Sequence, residues 1–154
     1  MNKFRSLLLL TLCSLTFTAQ SKKINSCPLP GYKLVWNDEF SSSKLDLNRW
    51  VFQEARAGWV NHELQTYVKG ESPKGRKVAE CKKGTLRIYT FREDDKVYSG
   101  RLYGNRNEGF KYGYIEARIK LPKGKGTWPA WWMMPVNGGR WPACGEIDIM
   151  EEVG

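Results

Sequence analysis

GEIDIMEEVG, Gly145 to Gly154, is the stretch on which the reading of the whole chain turns. It sets Glu146, Asp148, Glu151 and Glu152 among apolar Ile147, Ile149 and Met150. An alternating, β-branched run of this kind predicts a strand whose side chains go to opposite faces in turn. Glu146 and Asp148 then share a face, and Ile147 and Ile149 are expected to enter a core. Like charges packed so closely repel one another and drive their protonation equilibria apart.

One carboxylate held ionised beside another kept protonated near neutral pH is what glycosidic-bond cleavage requires. Positions four apart on a strand lie about 13 Å apart at Cα, and two Glu side chains leaning together could close that to the ~5–5.5 Å of a retaining pair. Strict alternation sets Glu146 with Met150 and Glu152 rather than with Glu151. A β-bulge near Met150 absorbs one residue and brings Glu151 round. From spacing alone, Glu151 and Glu152 are both candidates. An acidic, solvent-facing edge strand would account for Glu152, but not for three acids on an otherwise apolar strand.

Extended upstream, WPACGEIDIMEEVG resembles the active-site signature of glycoside hydrolase family sixteen, in the bulged form of its laminarinase-like (endo-β-1,3-glucanase) members. The resemblance implies a concanavalin A-like β-jelly-roll sandwich and a retaining mechanism. In it Glu146 is the nucleophile, Glu151 the general acid/base, Asp148 the group between them and Met150 the bulge residue. It covers about residues 32–154 and implies that these are the N-terminal part of such a catalytic domain, a truncated jelly roll with open edges. The expectation is of the front part of a longer reading frame, whose product lacks a cooperative thermal transition.

Seven tryptophans are many for 154 residues, and indole rings stack on the apolar C–H faces of pyranoses. In GTWPAWWMMP, alternation puts Trp128 and Trp132 on one face as a platform and Trp131 on the other. Trp141, just upstream of the carboxylates, is a third candidate for the cleft wall, whereas Trp36 and Trp50 read as packing. NHELQTY (61–67) and SGRL (99–102) resemble family segments that bring Asn61 and Arg101 to the cleft. LVWNDEF resembles the family's opening strand, and some relatives hold calcium on the outer sheet near the position of Glu39. Catalysis requires no cofactor on this reading, no catalytic metal site is expected, and calcium is a candidate structural ion without a complete ligand set.

The remaining segments read as β throughout. Strands are expected over Tyr32–Trp36, Leu64–Val68, Val78–Cys81, Thr85–Phe91 and Ala130–Val136, with a Lys-Lys-Gly turn closing the hairpin at 82–84. A long strand is expected over Tyr112–Leu121, where apolar and polar residues alternate. No stretch sustains helical periodicity, and short strands between turn signals argue for a sandwich. One domain follows.

Residues 1–19 have a basic start at Lys3 and Arg5 and an apolar run from Leu7 to Ala19, the pattern of a secretory signal peptide rather than a membrane span. Residues 20–31 form a lead-in. The protein is expected to be secreted or periplasmic, a monomer without a transmembrane segment. The formal charge of +9 could signal an acidic partner, but the Lys and Arg residues are scattered through loops such as 73–77 and 122–126, and nucleic acid is not an expected partner. Cys27, Cys81 and Cys144 remain beyond the leader, an odd number. A Cys27–Cys81 bridge is sterically open to the sequence, and Cys144 reads as packing, on the strand face of Glu146. His62, the sole histidine, leaves Ser/His or Cys/His hydrolysis without support.

The leading expectation is thus endo-cleavage of β-1,3-glucan. The alternatives are the same scaffold acting on mixed-linkage β-glucan or a sulfated galactan, and a non-catalytic glycan-binding module.

Overall fold

The computed structural model describes Cys27, residues 29–104 and residues 109–154. The expected leader, 1–19, lies outside these residues. Every regular element among them is a strand: β1 (Trp50–Phe52), β2 (Gln65–Tyr67), β3 (Ala79–Cys81), β4 (Leu86–Ile88), β5 (Thr90–Glu93), β6 (Lys96–Ser99), β7 (Leu102–Gly104), β8 (Ala130–Met133) and β9 (Ile147–Glu151). They pair as β1–β7, β2–β6–β5, β3–β4 and β8–β9, all antiparallel except β2 with β6.

The expected hairpin forms. Lys83 and Gly84, with φ of 53° and 68°, make a two-residue turn closed by reciprocal bonds between Lys82 and Thr85. The run from Thr85 to Phe91 divides its pairing: Leu86–Ile88 lies against β3, and from Thr90 onward the chain lies against β6. Tyr89 bridges the two sheets, donating its N–H to Val78 O at 2.8 Å and accepting from Gly100 N at 3.2 Å. Gly100 fits there because it lacks a side chain; a Cβ would come within 2.6 Å of the Val78 carbonyl oxygen.

The core sits between these sheets. Val78 is fully buried, Phe91 and Tyr98 pack with ring centroids 6.3 Å apart, and Phe52, Val68 and Tyr89 close over them. Trp36 and Trp50 meet edge to face at 5.6 Å, and the Trp50 indole donates to Asp38 Oδ2 at 2.8 Å, so both are packing residues as expected.

Two expected strands do not form ladders among the described residues. Tyr32–Trp36 and Tyr112–Leu121 join no ladder, and residues 111–120 are exposed throughout. Alternation prepares a segment for a sheet, but only a hydrogen-bonded neighbour makes it a strand. These segments touch through Tyr32 and Tyr114, whose rings meet at 6.3 Å. Cys27, Cys81 and Cys144 are free thiols, so the Cys27–Cys81 bridge is not formed. Burial raises the Cys81 thiol above its ordinary value.

Candidate active site

The carboxylate strand β9 is held by β8 in an irregular register. Ala130 faces Glu151 and Trp131 faces Met150, but Trp132 faces Asp148 and Met133 faces Ile147. One residue of β9, Ile149, has no partner. The bulge thus falls beside Met150, with Ile149 rather than Met150 as the residue passed over. Directly opposed residues share a face, so Asp148 and Glu151 stand with Ala130 and Trp132, while Ile147 and Met150 stand with Trp131 and Met133. Glu146, one residue before β9, joins Asp148 by alternation. The bulge therefore brings Glu151 onto the face of Asp148, and Glu152 falls on the other side.

The ladder continues past the strand ends. Glu152 N donates to Pro129 O at 3.1 Å and Gly154 N to Thr127 O at 2.9 Å. That carries Trp128 alongside Glu151, and the Trp128 indole N–H donates to Glu151 Oε1 at 2.7 Å. All three acids are exposed, open to a ligand arriving from solvent.

The opposite face departs from expectation. Ile147 is 60% exposed and Ile149 37% exposed, so they do not enter a core. Burial of an apolar strand face requires a second layer over it, and no described residue supplies one here.

Arg101, which directly precedes β7, lies with its guanidinium carbon 4.9 Å from the Trp132 ring centroid, 5.3 Å from that of Trp59 and 5.6 Å from that of Tyr67. A guanidinium over aromatic faces is attracted by their negative π-clouds. Tyr67 brings a polar network with it. Its hydroxyl donates to Glu63 Oε2 at 2.7 Å and accepts from Gln65 Nε2, also at 2.7 Å. Asn61 joins at the edge through a long 3.5 Å contact from Nδ2 to Glu63 Oε1. Burial, then the bond to Glu63, raises the Tyr67 phenol above its ordinary value.

A chain of contacts thus runs from Asn61 through Glu63, Tyr67 and Arg101 to Trp132, which stands opposite Asp148, and from Glu151 on the same face to Trp128. Trp141 stands outside it: it is 64% exposed in the β8–β9 connection, and among the described residues no hydrogen bond or ring contact ties it to the acids. Cys144 sits in the turn following Trp141 rather than on a strand face. The sequence reading missed Trp59, Glu63, Gln65 and Tyr67. The last three lie inside the NHELQTY segment, whose alternating polar residues were the available signal.

Asp38 accepts from Phe40 N at 2.9 Å and from the Trp50 indole, and among the described residues no three His, Cys, Asp or Glu side chains converge.

Acids along one strand face, indole rings beside them and an arginine held among aromatic rings are the parts of a carbohydrate-active β-sandwich. The model of the XgeA-like, catalytic GH16 domain matches residues 76–154, and the chain belongs to glycoside hydrolase family sixteen. A β-glucanase of Rhodothermus marinus is 38% identical over 150 residues, 92% of this chain and 49% of that protein. A glucan endo-1,3-β-glucosidase of Cryptopygus antarcticus is 37% identical over 161 residues, 98% of this chain and 53% of that protein. The laminarinase from Flavobacterium sp. UMI-01 superposes with a TM-score of 0.69 at 40% identity, over 79% of this chain and 53% of that one. The fold is accordingly the all-β jelly-roll sandwich that the signature implied. The chain spans about half the length of these two relatives.

Proposed function

We propose that this chain carries the carboxylate strand and sugar platform of an exported, monomeric endo-β-1,3-glucanase that works with retention. The observation that carries the reading is the β8–β9 register, with Asp148 and Glu151 on one face beside Trp132. The names of the relatives, glucanases and a laminarinase, support the substrate.

In the proposed reaction a glucosyl unit lies against the Trp132 ring, and Arg101 donates to its hydroxyls. A carboxylate oxygen of Glu146 attacks the anomeric carbon while Glu151 gives its proton to the departing glycosidic oxygen. The C–O bond breaks, the shortened glucan leaves, and a glycosyl ester on Glu146 remains. Glu151, now ionised, takes a proton from water, whose oxygen attacks the same carbon and frees Glu146. Asp148, on the same face between the two, shapes the field they share. The Trp128 N–H bond to Glu151 Oε1 fixes one oxygen and leaves the other to the substrate. No step of this reaction uses a metal or cofactor.

Reducing-sugar release from laminarin, lichenan, agarose and carrageenan tests the reading. Laminarin is expected to be cleaved fastest. Glu146→Gln and Glu151→Gln should each lower the rate by at least about a thousandfold and still bind laminari-oligosaccharides. Normal turnover by either variant refutes the assignment.

A further inference from the structure

We infer that Glu63 and Tyr67 are positioning residues, which fix the Arg101 guanidinium against the Trp132 ring before any sugar arrives. The inference rests on taking the Arg101–Trp132 face as the sugar-binding face proposed above.

Arg101 has no carboxylate partner among the described residues. A free arginine side chain has roughly 2 kcal/mol of rotamer entropy to lose on being held in one place. Its hold here comes from the rings of Trp59, Tyr67 and Trp132. A phenolic hydroxyl has one proton and two lone pairs. At Tyr67 the proton goes to Glu63 Oε2 and a lone pair accepts from Gln65 Nε2, which fixes the ring that Arg101 rests on. The polarity is forced because an ionised carboxylate only accepts. Gln65 strengthens this by donating also to Glu63 Oε2 at 2.8 Å. An amide at position 63 weakens the acceptor that anchors the Tyr67 ring, and with it the support under Arg101.

The backbone supports the same purpose. Asn61 and His62 both take left-handed conformations, φ 50° and 55°, in a turn closed by Glu63 N and Val60 O at 3.0 Å. Two successive non-glycine residues in that region carry strain, and strained turns cluster where a side chain must be aimed. This turn aims Glu63. On the other side, the parallel β2–β6 register sets Tyr67 beside Ser99, two residues before Arg101. Gln53 N pins the Arg101 carbonyl at 2.9 Å.

The test reads Arg101 directly. In the ligand-free chain, ring currents from Trp59, Tyr67 and Trp132 displace the Arg101 δ-proton NMR signals from their unstacked positions. Glu63→Gln and Tyr67→Phe are each expected to return them toward those positions, whereas unchanged signals in both variants overturn the inference. A double-mutant cycle on laminarin hydrolysis gives the kinetic counterpart. Tyr67→Phe should lower kcat/KM about tenfold with Arg101 present and less than about twofold in an Arg101→Ala background. Equal losses in the two backgrounds mean a general structural role and reject positioning. Should the unaltered protein release no sugar from laminarin, the substrate proposal fails, and the Arg101 signals still decide this one.

Discussion

The β5–β6 hairpin and the β8–β9 pair are built from the same kind of sequence, short runs of aromatic and β-branched residues, and they end in opposite conditions. On β5–β6 the rings of Phe91 and Tyr98 are sealed beneath Phe52, Val68 and Tyr89. On β8–β9 the apolar residues Ile147 and Ile149 face solvent, and the acids on the other side are equally open. Pairing regularity differs too: β5 and β6 match residue for residue, whereas β9 passes over Ile149. The first pair is sealed into the core, and the second presents its acids to solvent. A strand that must place two acids at an odd spacing on one face gives up a ladder position to do so.

The largest effect should come from undoing that sacrifice. Deleting Ile149 restores strict alternation and turns Glu151 away from Asp148 and Trp132, because a one-residue slip moves a side chain to the other face. Laminarin hydrolysis should fall by at least about a thousandfold, as far as with loss of the acid itself. A deletion variant that retains a tenth of the rate would show that the bulge does not carry the site.

The contrast in burial can be broken next by amide hydrogen exchange. Phe91→Ala removes a sealed ring, a change that costs about 3–5 kcal/mol where the cavity cannot collapse, so exchange at Tyr98 and Ser99 should accelerate by at least about a hundredfold. Ile147→Ser, on the open face, should alter exchange along β9 by no more than about threefold. If Ile147→Ser loosens its strand as severely as Phe91→Ala does, the face is covered in solution and the contrast fails.

A smaller effect separates chemistry from packing on β8–β9 itself. Trp128→Phe keeps a ring for stacking and removes the N–H that holds Glu151 Oε1. We expect kcat to drop about tenfold through the lost orientation of that carboxylate, with little change in exchange protection of the strand. A rise in KM at unchanged kcat would instead assign Trp128 to substrate binding alone.

What could be read from the sequence divides along the same line. The hairpin at 78–91 was legible because Lys83-Gly84 encodes its turn locally. The bulge was legible because carboxylate spacing and strand alternation cannot otherwise agree. By contrast, the ring of contacts around Arg101 was hidden, since it depends on the parallel pairing of β2 with β6 across some thirty residues, which no local pattern announces. A motif named Asn61, while Glu63, Gln65 and Tyr67 in that motif went unassigned. The segment 112–121 shows the reverse error: its alternation is real, but the ladder it prepares for is absent among the described residues. Local periodicity states which face a side chain takes, and only tertiary pairing states what meets it.

The finest distinction between covered and open surfaces lies in two tyrosines. Tyr67 is half-buried, and its phenol is raised chiefly by burial and then by Glu63, whereas Tyr114 is exposed and raised by its bond to Glu116. A group that holds its proton more tightly when folded contributes stability fully below its unfolded value, here the ordinary 10.0, and loses that contribution as pH rises through the folded value. Tyrosinate absorbance above pH 10 should therefore show late-ionising groups. Tyr67→Phe should remove part of that late amplitude in folded protein, and denaturant should shift the same part down toward 10.0. Tyr114→Phe serves as the control, because its late ionisation depends on a solvent-exposed hydrogen bond and should weaken in high salt, whereas burial at Tyr67 is indifferent to salt. If the Tyr67 amplitude instead appears at or below 10.0, or fades with salt as the Tyr114 amplitude does, the hydroxyl is not enclosed and its bond to Glu63 does not fix the ring beneath Arg101.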